Sequence, residues 1–307
     1  MEGMDFTRLV ERPRPTILSA NVLGLLAIAG LWIGSAIALI VAPEAGFRQD
    51  LAVNAIYYLP FVLLPVVICM RRRGGLSEAV RLNPMPLFPA LSVMLLAVLS
   101  VFAATGIDAL WLRLLEAFGL REPDTGLVIE SSSALMLSIL NSAAVPAICE
   151  ELLFRGYILS AWESRGTRLA IGVSTALFAL LHSNLFGMPA YLLVGAVSAF
   201  LVFALDSLYA GILYHTVYNA TILAVVFLAS GSEASGAMPG LSSILSELLV
   251  TLGMMAMLLL SLHLRRRASG IEPIPRSREP LRRSERVTLV ALVAAMVLSM
   301  LAVLLGG

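Results

Sequence analysis

Long runs of apolar residues are the feature that most constrains this chain. Nine runs approach or exceed the roughly 20 mostly apolar residues that a membrane-spanning helix needs. They lie at 17–42, 51–70, 86–107, 131–162, 168–187, 189–205, 208–230, 241–263 and 287–305. Because lipid offers the backbone no hydrogen-bond partner, segments of this length cross a membrane as helices. The sequence therefore predicts an all-α, polytopic transmembrane helical bundle of about eight to nine spans.

The composition agrees with a membrane protein and excludes several other classes. Charged residues make up 13% of the 307 residues, about half the share found in soluble domains. The mean hydropathy is +0.92 and the net charge is only +1, which argues against a soluble enzyme, a disordered chain and a nucleic-acid binder. Cys69 and Cys149 both lie in apolar runs, so a disulfide framework and a cysteine-rich metal site are excluded.

The arginines predict how the bundle is oriented. All 21 basic residues are arginine, a usage that we interpret as bacterial. Their clusters lie at 8–14, 71–73, 165–168, 265–267 and 276–286. With a cytoplasmic N-terminus, every cluster falls on the cytoplasmic side, as the positive-inside rule requires. We expect a multi-pass protein of the bacterial inner membrane, with 17–42 as a retained anchor and 108–130 as an acidic extracytoplasmic loop.

Polar side chains inside the apolar runs are concentrated in one part of the chain. They are Asn141, Glu150, Glu151, Arg155, His182, Asn184, His215 and Asn219. A charge near the centre of a membrane helix costs about 2.5–3.5 kcal/mol. Such a cluster is kept where the charges pair, line a wet cavity or perform chemistry.

Helical spacing indicates which of these groups can meet. Glu151 and Arg155 are four residues apart and share a face, whereas Glu150 is rotated by about 100° and has other neighbours. The same spacing occurs in two further helices, in the pairs Phe178 and His182, and His215 and Asn219. Pro146 cannot donate a backbone hydrogen bond and is expected to kink its helix. Each feature alone is common in a structural bundle; together they predict a polar site between three helices.

These residues form three motifs in a characteristic order. Glu150 to Arg155 reads EExxxR, Phe178 to His182 reads FxxxH, and His215 to Asn219 reads HxxxN. In this order and spacing the chain resembles the CPBP family, which comprises type II CAAX prenyl endopeptidases and bacterial Abi or bacteriocin-processing proteases. The resemblance implies an intramembrane glutamic endopeptidase, a CAAX-type peptide hydrolase, with a catalytic core of roughly four helices.

The resemblance also implies a role for each motif residue. Glu150 would be the general base that activates water, and His182 would hold or polarise that water. His215 and Asn219 would form an oxyanion hole. Glu151 and Arg155 would organise the site.

The resemblance divides the chain into three parts. Residues 1–130 would hold N-terminal transmembrane helices and the extracytoplasmic loop, and 131–230 the catalytic core. Residues 231–307 would hold C-terminal helices with a cytoplasmic Arg- and Pro-rich linker at 264–285. We expect no cofactor and no nucleic acid; the expected partners are the lipid bilayer and a membrane-tethered or hydrophobic protein or peptide substrate.

Three alternatives stay open at this point. Glu150, His182 and His215 could hold a zinc ion with an open position, although the chain has no HExxH motif. A proton-coupled transporter could use the same buried Glu and His side chains, and it would favour an inverted repeat, which the sequence does not show. A non-catalytic immunity or scaffold protein could retain the motifs for binding alone.

Overall fold

The fold is known from a computed structural model that describes residues 15–41, 58, 80–122, 128–230, 240–269 and 277–306. Within these residues the chain forms helices and no strand. The helices are α1 (Ile17–Val41), α2 (Leu87–Ala117), α3 (Ser132–Arg165), α4 (Thr167–Leu181), α5 (Met188–Leu205), α6 (Leu208–Ser230), α7 (Leu241–Ala268) and α8 (Arg283–Gly306). By length and composition, seven of them could cross a membrane. The prediction of an all-α polytopic bundle is confirmed.

The helix boundaries correct the sequence analysis in two places. Helix α4 ends at Leu181 after 15 residues, so it is about 22 Å long, shorter than the roughly 30 Å hydrocarbon layer. The run 168–187 was therefore predicted too long. Helix α2 continues to Ala117, which places Asp108 on a helix although we expected it in a loop. The predicted span at 51–70 lies outside the described residues, apart from Tyr58.

Helix α3 contains two π-helical segments. They are Ile139–Ala144 and Leu152–Leu159, and the α-helical stretch Val145–Glu151 lies between them. Pro146 is the second residue of that intervening stretch and, having no N–H, donates no backbone hydrogen bond. π-helical turns inside α-helices are frequent at functional sites. The two carboxylates of the EExxxR motif lie at the end of the intervening stretch.

The helices pack around α3 and α2. Helix α2 contacts α5, α6 and α7, and the consecutive helices α4 and α5 pack against each other. Helix α3 contacts α4 and α6, while α1 and α8 pair with each other and pack outside α3 and α4. Phe154, Tyr157, Phe178 and Tyr214 have almost no exposed surface and form the centre of the core.

Ion pairs and hydrogen bonds bring the arginine-bearing segments together at one end of the bundle. They join Arg81 to Glu163 and Asp206, Arg165 to Glu285, and Arg266 to the carbonyl of Phe203. Burial lowers the pKa of the Arg81 guanidinium, but its two carboxylate partners outweigh burial and raise the pKa. Arg81 is therefore charged and paired. The shared end agrees with the prediction that these arginine clusters lie on one side of the membrane.

Candidate active site

A cavity of about 510 Å³ lies between α2, α3, α4, α5 and α6. Four of the six predicted site residues line it, namely Glu150, His182, His215 and Asn219. The other two, Glu151 and Arg155, have no exposed surface and lie beside the cavity. The structure thus brings the three motifs together around one space.

Glu151 is surrounded by donors from three helices. Its Oε1 lies 3.2 Å from Arg155 Nη1 and 3.2 Å from His215 Nδ1, and its Oε2 accepts a 2.6 Å hydrogen bond from the hydroxyl of Ser198. Charge-assisted bonds of this kind are about twice as strong as neutral ones. Because both oxygens are occupied, Glu151 is unsuited to receive a proton from a substrate.

Two glycines make room for this cluster. A Cβ on Gly211 would lie 2.5 Å from Glu151 Oε2, closer than real Cβ contacts come, and 3.0 Å from the Ser198 hydroxyl. Gly195 lets α5 approach α4, with Phe178 and Thr175 within 3.2 Å of the position a Cβ would take. Small residues permit such close helix contacts in membranes.

Phe178 connects the three motifs. Its ring centre lies 4.3 Å from the Arg155 guanidinium carbon, 4.7 Å from the His182 ring and 5.6 Å from the His215 ring. Arg155 Nη2 also donates to the carbonyl of Gly195 at 3.1 Å. A guanidinium over an aromatic face is attracted by the ring quadrupole. Phe178 therefore packs against the Arg155 guanidinium and against both imidazoles.

Glu150 has different neighbours from Glu151, as the helical spacing predicts. Its side chain is 4% exposed, and its Oε1 accepts a 3.1 Å hydrogen bond from the Tyr58 hydroxyl. Its Oε2 lies 3.9 Å from His182 Nε2 and has no hydrogen-bond partner within the described part of the chain. A buried carboxylate oxygen without a donor is rare and calls for a functional explanation.

The surroundings of His182 determine which ring nitrogen faces Glu150. Nδ1 lies 2.8 Å from the carbonyl of Phe178, so Nδ1 carries the hydrogen and donates it. In the neutral ring Nε2 is then an acceptor. The ring stacks on Tyr191 with centres 4.0 Å apart. His182 is followed by Ser183, whose φ of 52° turns the chain out of α4.

Helix α2 holds the turn that follows His182, a role that the sequence analysis missed. The Trp111 indole N–H donates to the carbonyl of Leu185 at 2.9 Å. Asp108 accepts a 3.2 Å hydrogen bond from the backbone N–H of Ala190 in the first turn of α5. Asp108 and Trp111 are three residues apart and share a face of α2. Extending the helical pattern past residue 107 would have revealed this pair.

No three His, Cys, Asp or Glu side chains are grouped so as to hold a metal ion within the part of the chain that the structure describes. His182 Nδ1 and His215 Nδ1 are both occupied by protein acceptors. The Nε2 atoms are therefore the ring nitrogens left to interact with a substrate, a water molecule or an ion.

Comparison with known proteins finds a family match for the part of the chain that carries the three motifs. Residues 132–221 match the family model of type II CAAX prenyl endopeptidase Rce1-like proteins, a match that contains all three motifs and covers somewhat less than a third of the chain. No curated protein and no solved structure matches the chain. The matched family consists of CAAX-type intramembrane proteases, and the chain has seven candidate membrane spans. The protein is thus a multi-pass membrane peptide hydrolase whose residues 132–221 match the model of the Rce1-like type II CAAX prenyl endopeptidases.

Proposed function

We propose that the protein is an intramembrane endopeptidase in which Glu150 is the general base. The observation that carries the proposal is the Oε2 atom of Glu150, which is buried, lines the cavity and has no donor among the described residues. A carboxylate in this setting can accept a proton from water. Glu151, one residue further on, has both oxygens occupied.

The geometry around Glu150 suits a water molecule. Water–acceptor hydrogen bonds are about 2.8 Å long, so one water can reach both Glu150 Oε2 and His182 Nε2, which are 3.9 Å apart. Such a water donates one hydrogen to each atom and keeps its lone pairs for attack on a carbonyl carbon. Glu150 then takes the proton, and it later delivers this proton to the leaving amine.

The oxyanion would be held on the other side of the cavity. Asn219 supplies a neutral N–H donor. Nδ1 of His215 already faces the Glu151 carboxylate, so His215 can donate through Nε2 only as an imidazolium. Glu151 stabilises that cation, and Arg155 keeps Glu151 ionised. Donors aimed at the developing charge are among the strongest contributions to catalysis.

The substrate class and orientation complete the proposal. The substrate is a membrane-tethered or hydrophobic protein or peptide, because the cavity opens among apolar helices.

The arginine-bearing end is cytoplasmic and the N-terminus lies on that side of a bacterial inner membrane. A reporter that is active only in the cytoplasm, fused to the N-terminus, should be active; an inactive fusion would reverse the orientation.

The experiment that tests the catalytic role is a survey of protein termini in cells. It compares the native chain with Glu150→Gln at matched expression, and Glu247→Gln, an exposed glutamate on α7, is the control. We expect new peptide ends with the native and Glu247→Gln chains and none with Glu150→Gln. Identical termini in all three, with folded protein, would contradict the proposal.

The proposed reaction uses water, Glu150 and the His/Asn donors and requires no metal. Cleavage by the purified protein should therefore survive treatment with 1,10-phenanthroline. Loss of cleavage that zinc restores would instead support a zinc peptidase with the same Glu150, His182 and His215.

A further inference from the structure

Tyr58 lies far from the three motifs in the sequence, yet it contacts the proposed base, Glu150. It belongs to the apolar run 51–70, outside the matched residues 132–221. Its hydroxyl donates to Glu150 Oε1 at 3.1 Å across 92 positions of sequence, and its side chain lines the same cavity. The hydrogen bond therefore joins the N-terminal part of the chain to the catalytic core.

The contact fixes which oxygen of Glu150 is available. A carboxylate can rotate about its terminal bond, which has a broad torsional minimum, and rotation would exchange the two oxygens. With Oε1 held by Tyr58, Oε2 is the atom that faces His182 Nε2 at 3.9 Å. Tyr58 thus acts on the orientation of Glu150.

We propose that Tyr58 is a positioning residue that holds Glu150 with Oε2 turned toward His182. This inference rests on the proposed role of Glu150 as general base. It also adds Tyr58, a residue of the run 51–70 that the family motifs do not include, to the proposed site.

Tyr58→Phe removes one oxygen atom and leaves Glu150 and His182 in place. The variant therefore isolates the hydroxyl.

The test is the separate measurement of kcat and KM for Tyr58→Phe on the purified full chain in lipid vesicles, with a substrate from the termini survey. Without the hydroxyl, the Glu150 carboxylate can rotate and turn Oε2 away from His182. We expect kcat to fall about ten- to hundredfold, the loss expected when a hydrogen bond to a charged group is removed. KM and the unfolding temperature should change little.

The matched control is Tyr209→Phe. Tyr209 is a half-exposed tyrosine of α6 and is not among the residues that line the cavity, so its variant should keep the native kcat and KM. A native kcat for Tyr58→Phe, with Glu150→Gln inactive, would overturn the role of Tyr58 and leave the proposed function intact. A lower kcat together with a lower unfolding temperature would reduce Tyr58 to a packing residue. Cleavage by Glu150→Gln would instead overturn the proposed function itself.

Discussion

Glu150 and Glu151 are adjacent residues with the same side chain, yet their surroundings differ in almost every respect. Glu151 is in contact with Arg155, His215 and Ser198 and has no exposed surface. Glu150 has one tyrosine hydroxyl on one oxygen and a cavity at the other. The comparison teaches that partners on neighbouring helices, and not residue type, decide whether a carboxylate has both oxygens paired or has one oxygen without a donor among the described residues.

The sharpest test of this difference applies one substitution to both positions. Glu151→Gln leaves Arg155 buried without its counter-charge, which typically costs about 3–5 kcal/mol of unfolding free energy. Glu150→Gln should lower the free energy of unfolding by less than about 1 kcal/mol, because no buried cation depends on Glu150 alone. The same variant should abolish cleavage. Chemical unfolding in detergent micelles measures the difference. Equal destabilisation of the two variants would remove the distinction between the carboxylates.

A smaller effect is expected from filling the space next to Glu151. Gly211→Ala places a methyl group 2.5 Å from Glu151 Oε2 and 2.8 Å from Val202 Cγ2, and overpacking of this kind costs about 1–3 kcal/mol. Gly253→Ala, with no atom within 4 Å of its Cβ, is the control. The unfolding temperature should fall for the first variant only, and a native value for Gly211→Ala would mean that the cluster is loosely packed.

The smallest predicted effect concerns the turn that follows His182, the residue whose Nε2 faces Glu150. Trp111→Phe removes the indole donor to Leu185 and should lower the unfolding free energy by about 0.5–1.5 kcal/mol. The cleavage rate should fall as well, because that turn carries His182. Trp32→Phe removes a comparable bond, to Ser299 between α1 and α8, and should leave cleavage unchanged. The turn would have no role in positioning if both variants cleaved equally well.

Much of the fold could be predicted because lipid restricts the chain so strongly. An apolar run of sufficient length has to satisfy its backbone internally, which predicts helices at once. The four-residue spacing of Glu151 and Arg155 predicted their ion pair, which the structure contains. These inferences succeed because both ends of each interaction lie within one helix.

The rest depends on contacts between segments that are distant in sequence. Ser198 reaches Glu151 across 47 positions and Tyr58 reaches Glu150 across 92. A serine or tyrosine in an apolar run has no sequence feature that predicts such a partner. The early end of α4 was missed for a similar reason: Leu185 and Phe186 extend the apolar pattern, while Ser183 turns the chain at a φ of 52°.

The two π-helical segments of α3 have a consequence for how this site can change by insertion and deletion. A π turn contains one residue more than an α turn, so deleting one residue from Leu152–Leu159 restores α geometry. The preceding helix would then rotate by about 100° relative to α4. Glu151 would leave its donors although no motif residue had been replaced. A change of one residue in the length of α3 would therefore alter which carboxylate faces the cavity.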